Sequence, residues 1–220
     1  MKIVKKINCA GTNLNIYDVP VGVMVSGGAD SAILLYYLMK YCTKPIFIFT
    51  EGNNVKLRKN GIIAPRVVEK CIQLTKNINV VHHINYNTET TLESLYEKPR
   101  FAVRDFGPIR IVYEGLTMNP PDDIANSLVP ELDFEHTRNA DGNNDLFHSD
   151  NKFYMPWANT DKKSIAKMYR EENLIDTLLP VTRSCEYDEN SEFFTDVKDP
   201  GLGHCGECWW CKEREWAFKK

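Results

Sequence analysis

Short, unbroken apolar runs alternate along the chain with stretches whose apolar residues recur at helical spacing. Val21-Gly22-Val23-Met24-Val25 and Ile46-Phe47-Ile48-Phe49-Thr50 are continuous runs, the pattern of strands buried on both faces of a parallel sheet. Residues 78–84 and 109–113 read as a third and a fourth such strand. Between them, residues 30–41 carry Ile33, Leu34, Tyr37 and Leu38 at core-facing helical spacing. Residues 64–76 carry Val67, Val68, Cys71, Ile72 and Leu74, which predicts a helix begun near Pro65. Helical character returns near 90–105 and over 160–174. There Thr160 or Asp161 can cap, and Ile165, Met168 and Tyr169 form an apolar face. Residues 1–19 read as a strand and turn punctuated by Gly11-Thr12-Asn13. This alternation predicts an α/β fold with a doubly wound, mostly parallel sheet. Two regions break it. Residues 117–151 are rich in Asn, Asp and Pro and read as a long functional loop. Residues 181–220 hold a cysteine cluster and a Trp-rich end. The expected organisation is an α/β domain over 1–180 and a small C-terminal lobe over 181–220.

Composition narrows this picture. A chain of 220 residues, 43% hydrophobic, suits one α/β domain with a small appendage and argues against global disorder. The net charge of −3 argues against nucleic acid as a partner, and Arg58, Lys59 and Arg66 read as a solvated basic face. No apolar run approaches the roughly 20 residues that span a bilayer, so no membrane association is expected. Met1 to Lys6 carry charge without a following apolar block or cleavage site, which predicts no signal peptide and a cytoplasmic address. Nothing in the sequence speaks against a homodimer.

Candidate chemistry sits first in Ser26-Gly27-Gly28-Ala29-Asp30-Ser31, between a predicted strand and a predicted helix. Open α/β sheets bind ligands at such places. Glycines let backbone approach an anion, helix-start N–H groups point at it, and the helix dipole favours negative charge. Ser26 and Ser31 add hydroxyls. Asp30 would repel a phosphate directly, so its expected roles are capping the helix or holding a magnesium ion. The loop is neither a Walker A motif nor Gly-x-Gly-x-x-Gly.

The second candidate is the terminal thiols. Of seven cysteines, Cys9, Cys42 and Cys71 are scattered, whereas Cys185, Cys205, Cys208 and Cys211 crowd the end. In a reducing compartment such a cluster reads as a metal site rather than disulfides. Four thiolates suit a closed, tetrahedral, structural zinc. His204 could replace one cysteine, and free thiols or an iron–sulfur cluster are the other readings. Trp209, Trp210 and Trp216 are expected to pack around the lobe.

The loop resembles the Ser-Gly-Gly-x-Asp-Ser signature of the PP-loop ATP pyrophosphatases. Within them the chain looks like the 7-cyano-7-deazaguanine synthases. Thr160-Asp161-Lys162-Lys163-Ser164-Ile165 resembles that family's Asp-Lys-x-x-Ile segment. Thr182-Arg183-Ser184-Cys185 with Cys205-Gly206-Glu207-Cys208-Trp209-Trp210-Cys211 resembles its closing Thr-x-x-Cys and Cys-Gly-x-Cys-x-x-Cys. The match covers both ends of the chain. The segment Glu114 to Pro121 departs from the family pattern, and the interval from Cys185 to Cys205 is enlarged.

The resemblance implies an ATP-dependent C–N ligase of queuosine biosynthesis. A 7-deazaguanine-type carboxylate is adenylated, and ammonia converts it to an amide and then a nitrile, with AMP and pyrophosphate released. It implies ATP with Mg2+, and a structural Zn2+ on Cys185, Cys205, Cys208 and Cys211. Ser26, Gly27, Gly28, Ala29, Asp30 and Ser31 would hold the nucleotide, with Thr50 lining its pocket. Asp30, Lys162 and Arg183 would act on the reacting phosphates, with Lys163 a substitute for Lys162. Two rival functions stand beside this: a PP-loop enzyme that thiolates or aminates a tRNA base, and a non-catalytic nucleotide- and zinc-binding interaction module.

Other features carry less. His82-His83 in a strand place two imidazoles on opposite faces, one expected solvated and one packed. His136 and His148 are too isolated to argue a metal site. Asn119, Asp122 and Asp123 lie where a strand end could meet substrate, though Asn-Pro-Pro-Asp-Asp also reads as an ordinary turn.

Overall fold

The apolar runs assemble into one parallel sheet. The structure is a computed structural model that describes residues 1–9, 11–52, 58–85, 108–128, 153–185 and 203–219. Its elements in order are β1 (Ile3–Cys9), β2 (Thr12–Tyr17), β3 (Val21–Met24), α1 (Ala29–Tyr41), β4 (Ile46–Glu51) and α2 (Arg58–Thr75). Then come β5 (Val80–Asn85), β6 (Ile111–Tyr113), α3 (Asp122–Leu128), β7 (Phe153–Tyr154), α4 (Lys162–Glu171) and α5 (Trp209–Phe218). The helix expected near 90–105, Asn53, His136, His148 and the side chains of Cys9, Arg58 and Lys59 lie outside the described residues.

The sheet order is β5-β4-β3-β6-β7, and every neighbouring pair is parallel. The order runs outward from β3 through β4 to β5, then restarts on the other side of β3 with β6 and β7. That reversal places the switch point of a doubly wound sheet between β3 and β6. The loop leaving the carboxyl end of β3 therefore opens at the crevice where such sheets take ligands.

Alternation along the strands sorts the two faces. Val21, Val23, Ile46, Ile48, Ile111 and Tyr113 join the main core with α1, α2 and α4. Phe49, Val112 and Phe153 form a second cluster with Ile109. Gly22 stands between them: a Cβ there would lie 3.0 Å from Val112 and 3.2 Å from Phe49. Helix α1 is buried almost all round, from Ser31 to Met39, because it packs against both α2 and α4.

Four elements differ from the sequence expectation. The first 19 residues form a two-stranded antiparallel hairpin, β1 with β2, rather than one strand and a turn. Its Leu14 and Ile16 enter the main core, and Tyr113 and Tyr154 donate hydroxyl hydrogen bonds to its Asn15 and Asn13 carbonyls. Helix α2 starts well before Pro65, which sits inside it. The i−4 position is Gly61, which has no side chain to add to the crowding, and Ile63, Ala64, Val67 and Cys71 gain core contacts. The Asn/Pro/Asp stretch contains the short α3, begun by Asp122 and Asp123 just after Pro120-Pro121. Both histidines of β5 are half-buried, rather than one solvated and one packed: His82 bonds Thr50 and His83 stacks on Phe49 with ring centres 5.7 Å apart.

Candidate functional site

The turn after β3 is held from several sides. Gly27 has φ +88°, a conformation open to glycine, and a Cβ there would lie 2.6 Å from Ile63 Cγ2. Its carbonyl accepts from the Arg183 amide at 3.0 Å, which ties the turn to the distant 182–185 segment. Gly28 is the N-cap of α1 and supplies no side chain to satisfy the helix-start amides. The first bond of the helix runs from the Ala32 amide to the Gly28 carbonyl, at 3.0 Å. The amides of Ala29, Asp30 and Ser31 precede it. Ser31 Oγ donates to the Gly28 carbonyl at 3.2 Å, and Ser26 Oγ lies 3.3 Å from Ser31 Oγ. Ser26, Gly27, Gly28 and Ser31 thus form one small polar turn at a helix N-terminus.

The helix start is fixed from below. Tyr169 Oη donates to the Ala29 carbonyl at 2.9 Å, and burial pushes that phenol's pKa up, so it stays a donor. Trp157 Nε1 donates to the Asp30 carbonyl at 3.4 Å. Gly115, just past β6, passes so close that a Cβ there would lie 2.9 Å from the Ser31 nitrogen. Only a glycine leaves that amide uncovered by a side chain.

Asp30 does not cap α1. Its Oδ2 accepts from Lys162 Nζ at 2.6 Å, while its Oδ1 is buried without a hydrogen-bond partner. Lys162 is the first residue of α4, whose N-cap Asp161 accepts from the Ser164 amide at 2.8 Å. Its neighbour Lys163 turns the other way, with Nζ 4.7 Å from the centre of the Trp216 ring. Helical spacing thus separates the two lysines: Lys162 faces the loop and Lys163 packs on α5. Arg183 is 5% exposed beside the turn through its backbone bond to Gly27.

Thr50 ends β4 at the same sheet edge but spends its hydroxyl internally. It is 2% exposed and donates to the Val25 carbonyl at 2.7 Å. Having given its one proton there, it accepts from His82 Nε2 at 2.8 Å, which fixes the Nε2–H tautomer. Burial, with a smaller effect of His83, lowers the His82 pKa to about 4, so the ring is neutral near pH 7. Thr50 therefore fixes the spacing of β3 and β4 and offers a ligand no hydroxyl proton.

Asn119 gives the most informative orphan. It is 8% exposed, yet neither Oδ1 nor Nδ2 has a hydrogen-bond partner. It sits on the segment that leaves β6 past the carboxyl edge, next to Met118, whose amide bonds the Thr160 carbonyl at 3.1 Å. A buried amide without partners is costly, by roughly 1–3 kcal/mol for each unsatisfied group, so a ligand that pairs with it gains that energy. Asp122 and Asp123, weighed with it on sequence, are exposed in the first turn of α3.

The four terminal thiols converge. Cys185 Sγ lies 3.6 Å from Cys205 Sγ and 3.9 Å from Cys208 Sγ, and Cys205 Sγ lies 3.9 Å from Cys211 Sγ. All four sulfurs fall within 4.8 Å of one another. Four thiolates at about 2.3 Å from one tetrahedral ion are about 3.8 Å apart, so the set fits a single zinc. In a four-iron cluster each thiolate binds a separate iron, which spreads the sulfurs further. Hydrogen bonds with Cys185 and Cys208, and then burial, push the Cys211 thiol pKa up. Gly206, at φ +77°, turns the chain so that the Cys208 amide donates to Cys205 Sγ at 3.3 Å. His204 Nδ1 is 3.7 Å from Cys211 Sγ and lies outside the converging set.

Helix α5 joins this cluster to the loop. Cys208 is its N-cap, and Trp209 is buried at its start. Arg214 donates to Thr182 Oγ1 at 2.8 Å, Ser184 Oγ at 3.2 Å and the Leu179 carbonyl at 2.9 Å, pinning the strand of chain that carries Arg183. Glu213 is fully buried and reaches Lys162 Nζ at 3.5 Å. Neither residue stands out in the sequence, because Lys212-Glu213-Arg214-Glu215 has the composition of a solvated helix face.

No protein-family profile matches the chain, and no curated protein matches its sequence. Solved structures that resemble it include the U34-tRNA thiolase NcsA from Methanococcus maripaludis with its [4Fe-4S] cluster. That likeness has 16% identity and a TM-score of 0.43, over 71% of this chain and 58% of the thiolase chain. A second is the NH3-dependent NAD synthetase from Campylobacter jejuni subsp. jejuni NCTC 11168 in complex with the nitrate ion. It has 15% identity and a TM-score of 0.42, over 91% of this chain and 87% of that one. This chain thus spans less than two thirds of the thiolase's length. Among the described residues no helix is long and apolar enough to cross a membrane.

Proposed function

We propose that this protein is an ATP-dependent ligase that cleaves ATP between its α- and β-phosphates and hands the adenylate to a carboxylate. The observation that carries the reading is the glycine turn at the sheet's switch point, with the Asp30–Lys162 pair beside it. The turn supplies outward amides and a helix N-terminus for the departing pyrophosphate. Lys162, and Arg183 whose backbone is bonded to the turn, are the cations proposed to act there. Asp30 Oδ1, without a partner in the protein, is the oxygen that would hold magnesium on the phosphates, where the ion would offset their charge.

In this reading the acceptor carboxylate attacks the α-phosphorus and displaces pyrophosphate. Ammonia then adds to the acyl carbon, AMP leaves, and a proton is lost to give the amide. A second ATP activates the amide oxygen in the same way. Loss of AMP and of the two amide protons leaves a nitrile. The acceptor we assign is 7-carboxy-7-deazaguanine or a close relative, from the resemblance of the chain's two ends to the synthases of the corresponding nitrile. Asn119 supports a heterocyclic acceptor, because its unpartnered amide offers one donor face and one acceptor face. The cysteine lobe is proposed to hold a structural zinc, which would keep α5 in place.

The test is a product assay. The zinc-loaded protein is incubated with ATP, magnesium, ammonium and 7-carboxy-7-deazaguanine, and AMP, pyrophosphate and nitrile are followed. Nitrile with AMP and pyrophosphate is the expected result. AMP release only when tRNA is added would replace the acceptor with a nucleic acid. ADP and phosphate as products, or no nucleotide cleavage with any acceptor, would overturn the reading.

A further inference from the structure

Lys162 is placed between two carboxylates that come from opposite ends of the chain. Its Nζ is 2.6 Å from Asp30 Oδ2 and 3.5 Å from Glu213 Oε2. The lysine is 3% exposed and Glu213 is 0% exposed. One carboxylate would suffice to balance one ammonium. A second, fully buried carboxylate carries a large desolvation cost, and Lys162 is one cation that offsets it. The two acids also differ in freedom. The Asp30 side chain retains 16% exposure, whereas that of Glu213 has none and is sealed in the packing between α4 and α5.

We propose that Glu213 is a positioning residue that holds Lys162 in place and in charge balance when the Asp30 carboxylate turns to the bound nucleotide. Without it, drawing Asp30 away would leave a buried ammonium uncompensated, and the lysine would follow the aspartate out of line. Glu213 lies on the helix whose N-cap is Cys208, two residues after Cys211 and next to Arg214. The metal lobe thereby reaches the phosphate site through one side chain, in addition to the backbone segment that Arg214 pins.

The test uses full-length, zinc-loaded protein and two readouts. The kinetic one rests on the ATP-cleaving reading; the stability one does not. Glu213→Gln is expected to keep its zinc and to lose about tenfold or more in kcat, with KM for ATP changing less than about threefold. Glu213→Asp is expected to recover part of that loss. In thermal unfolding, Asp30→Asn combined with Glu213→Gln is expected to lower Tm by more than the two single shifts added, since each single variant leaves Lys162 one carboxylate. Wild-type kcat in Glu213→Gln, or loss of zinc from it, would overturn the positioning role. Additive Tm shifts beside normal wild-type turnover would sink the charge sharing alone. A wild-type protein that cleaves no ATP, with a non-additive cycle, would sink the ATP reading and leave the charge sharing standing.

Discussion

The turn at residues 26–31 and the lobe at 203–219 are both short polar motifs, yet they are held by different physics. The turn offers backbone amides, and their direction is set by the apolar core beneath it: Ile63 against Gly27, and Tyr169 on the Ala29 carbonyl. It is preorganised without a ligand. The lobe offers side-chain sulfurs from two segments of the chain, gathered in a small cluster of cysteines, while Phe218 of its helix packs against the main core. In the proposed reading an ion draws those sulfurs together. A site made of backbone fails when its packing fails, whereas a site made of thiols fails when its metal leaves.

Metal removal probes this difference most strongly. Cys208→Ser, or chelation of the wild type, is expected to release zinc and unwind the start of α5, costing on the order of 5 kcal/mol or more of folding free energy. Metal analysis with thermal unfolding reads both. An unchanged Tm without bound metal would erase the distinction between the two sites.

The two glycines of the turn sharpen it. Gly27→Ala must place a Cβ at φ +88° against Ile63, and is expected to destabilise by about 2–4 kcal/mol. At Gly28 a Cβ meets only Ser26 Oγ at 3.4 Å and the Arg183 carbonyl at 3.8 Å, so Gly28→Ala should keep its Tm. Its methyl would intrude on a bound phosphate, and ATP affinity is expected to fall about tenfold. Equal ATP affinity in Gly28→Ala and wild type would count against the turn as the phosphate seat.

Asn119→Leu replaces a buried, unpartnered amide with an apolar group of similar size. Stability is expected to rise by about 1–2 kcal/mol, while KM for the acceptor climbs and KM for ATP does not. A drop in Tm would mean that the amide serves the fold.

The smallest effect concerns His82, outside both motifs. Its folded pKa of about 4 lies below the ordinary 6.5, so between those values the unfolded chain binds more protons. Its contribution is complete above pH 6.5 and is lost as pH falls towards 4. Discounted for its partial exposure, it is about 1–2 kcal/mol. Denaturant unfolding of His82→Gln across this range should show a shallower acid loss than wild type.

Legibility in the sequence followed locality. The strand, glycine turn and helix around Ser26 are contiguous, and their pattern marks the fold and the candidate site. The four cysteines are legible because thiols cluster for few other reasons. The second hairpin strand and β7 were harder: β7 is two residues long and is defined by its pairing with β6. Helix α2 runs through Pro65 because tertiary packing outweighs the local breaker. Glu213 and Arg214 were hidden, since burial of a charged helix face is decided by what packs on it. Thr50 showed its place at the sheet edge but not that its hydroxyl is committed to Val25 and His82.

The most direct test is a titration of isotope-labelled protein, followed by amide NMR, with inorganic pyrophosphate and then with ATP and magnesium. The account predicts that the amides of Gly28, Ala29, Asp30 and Ser31 shift first and furthest with both ligands. Saturable shifts confined to other residues, with these four amides unmoved, would contradict it.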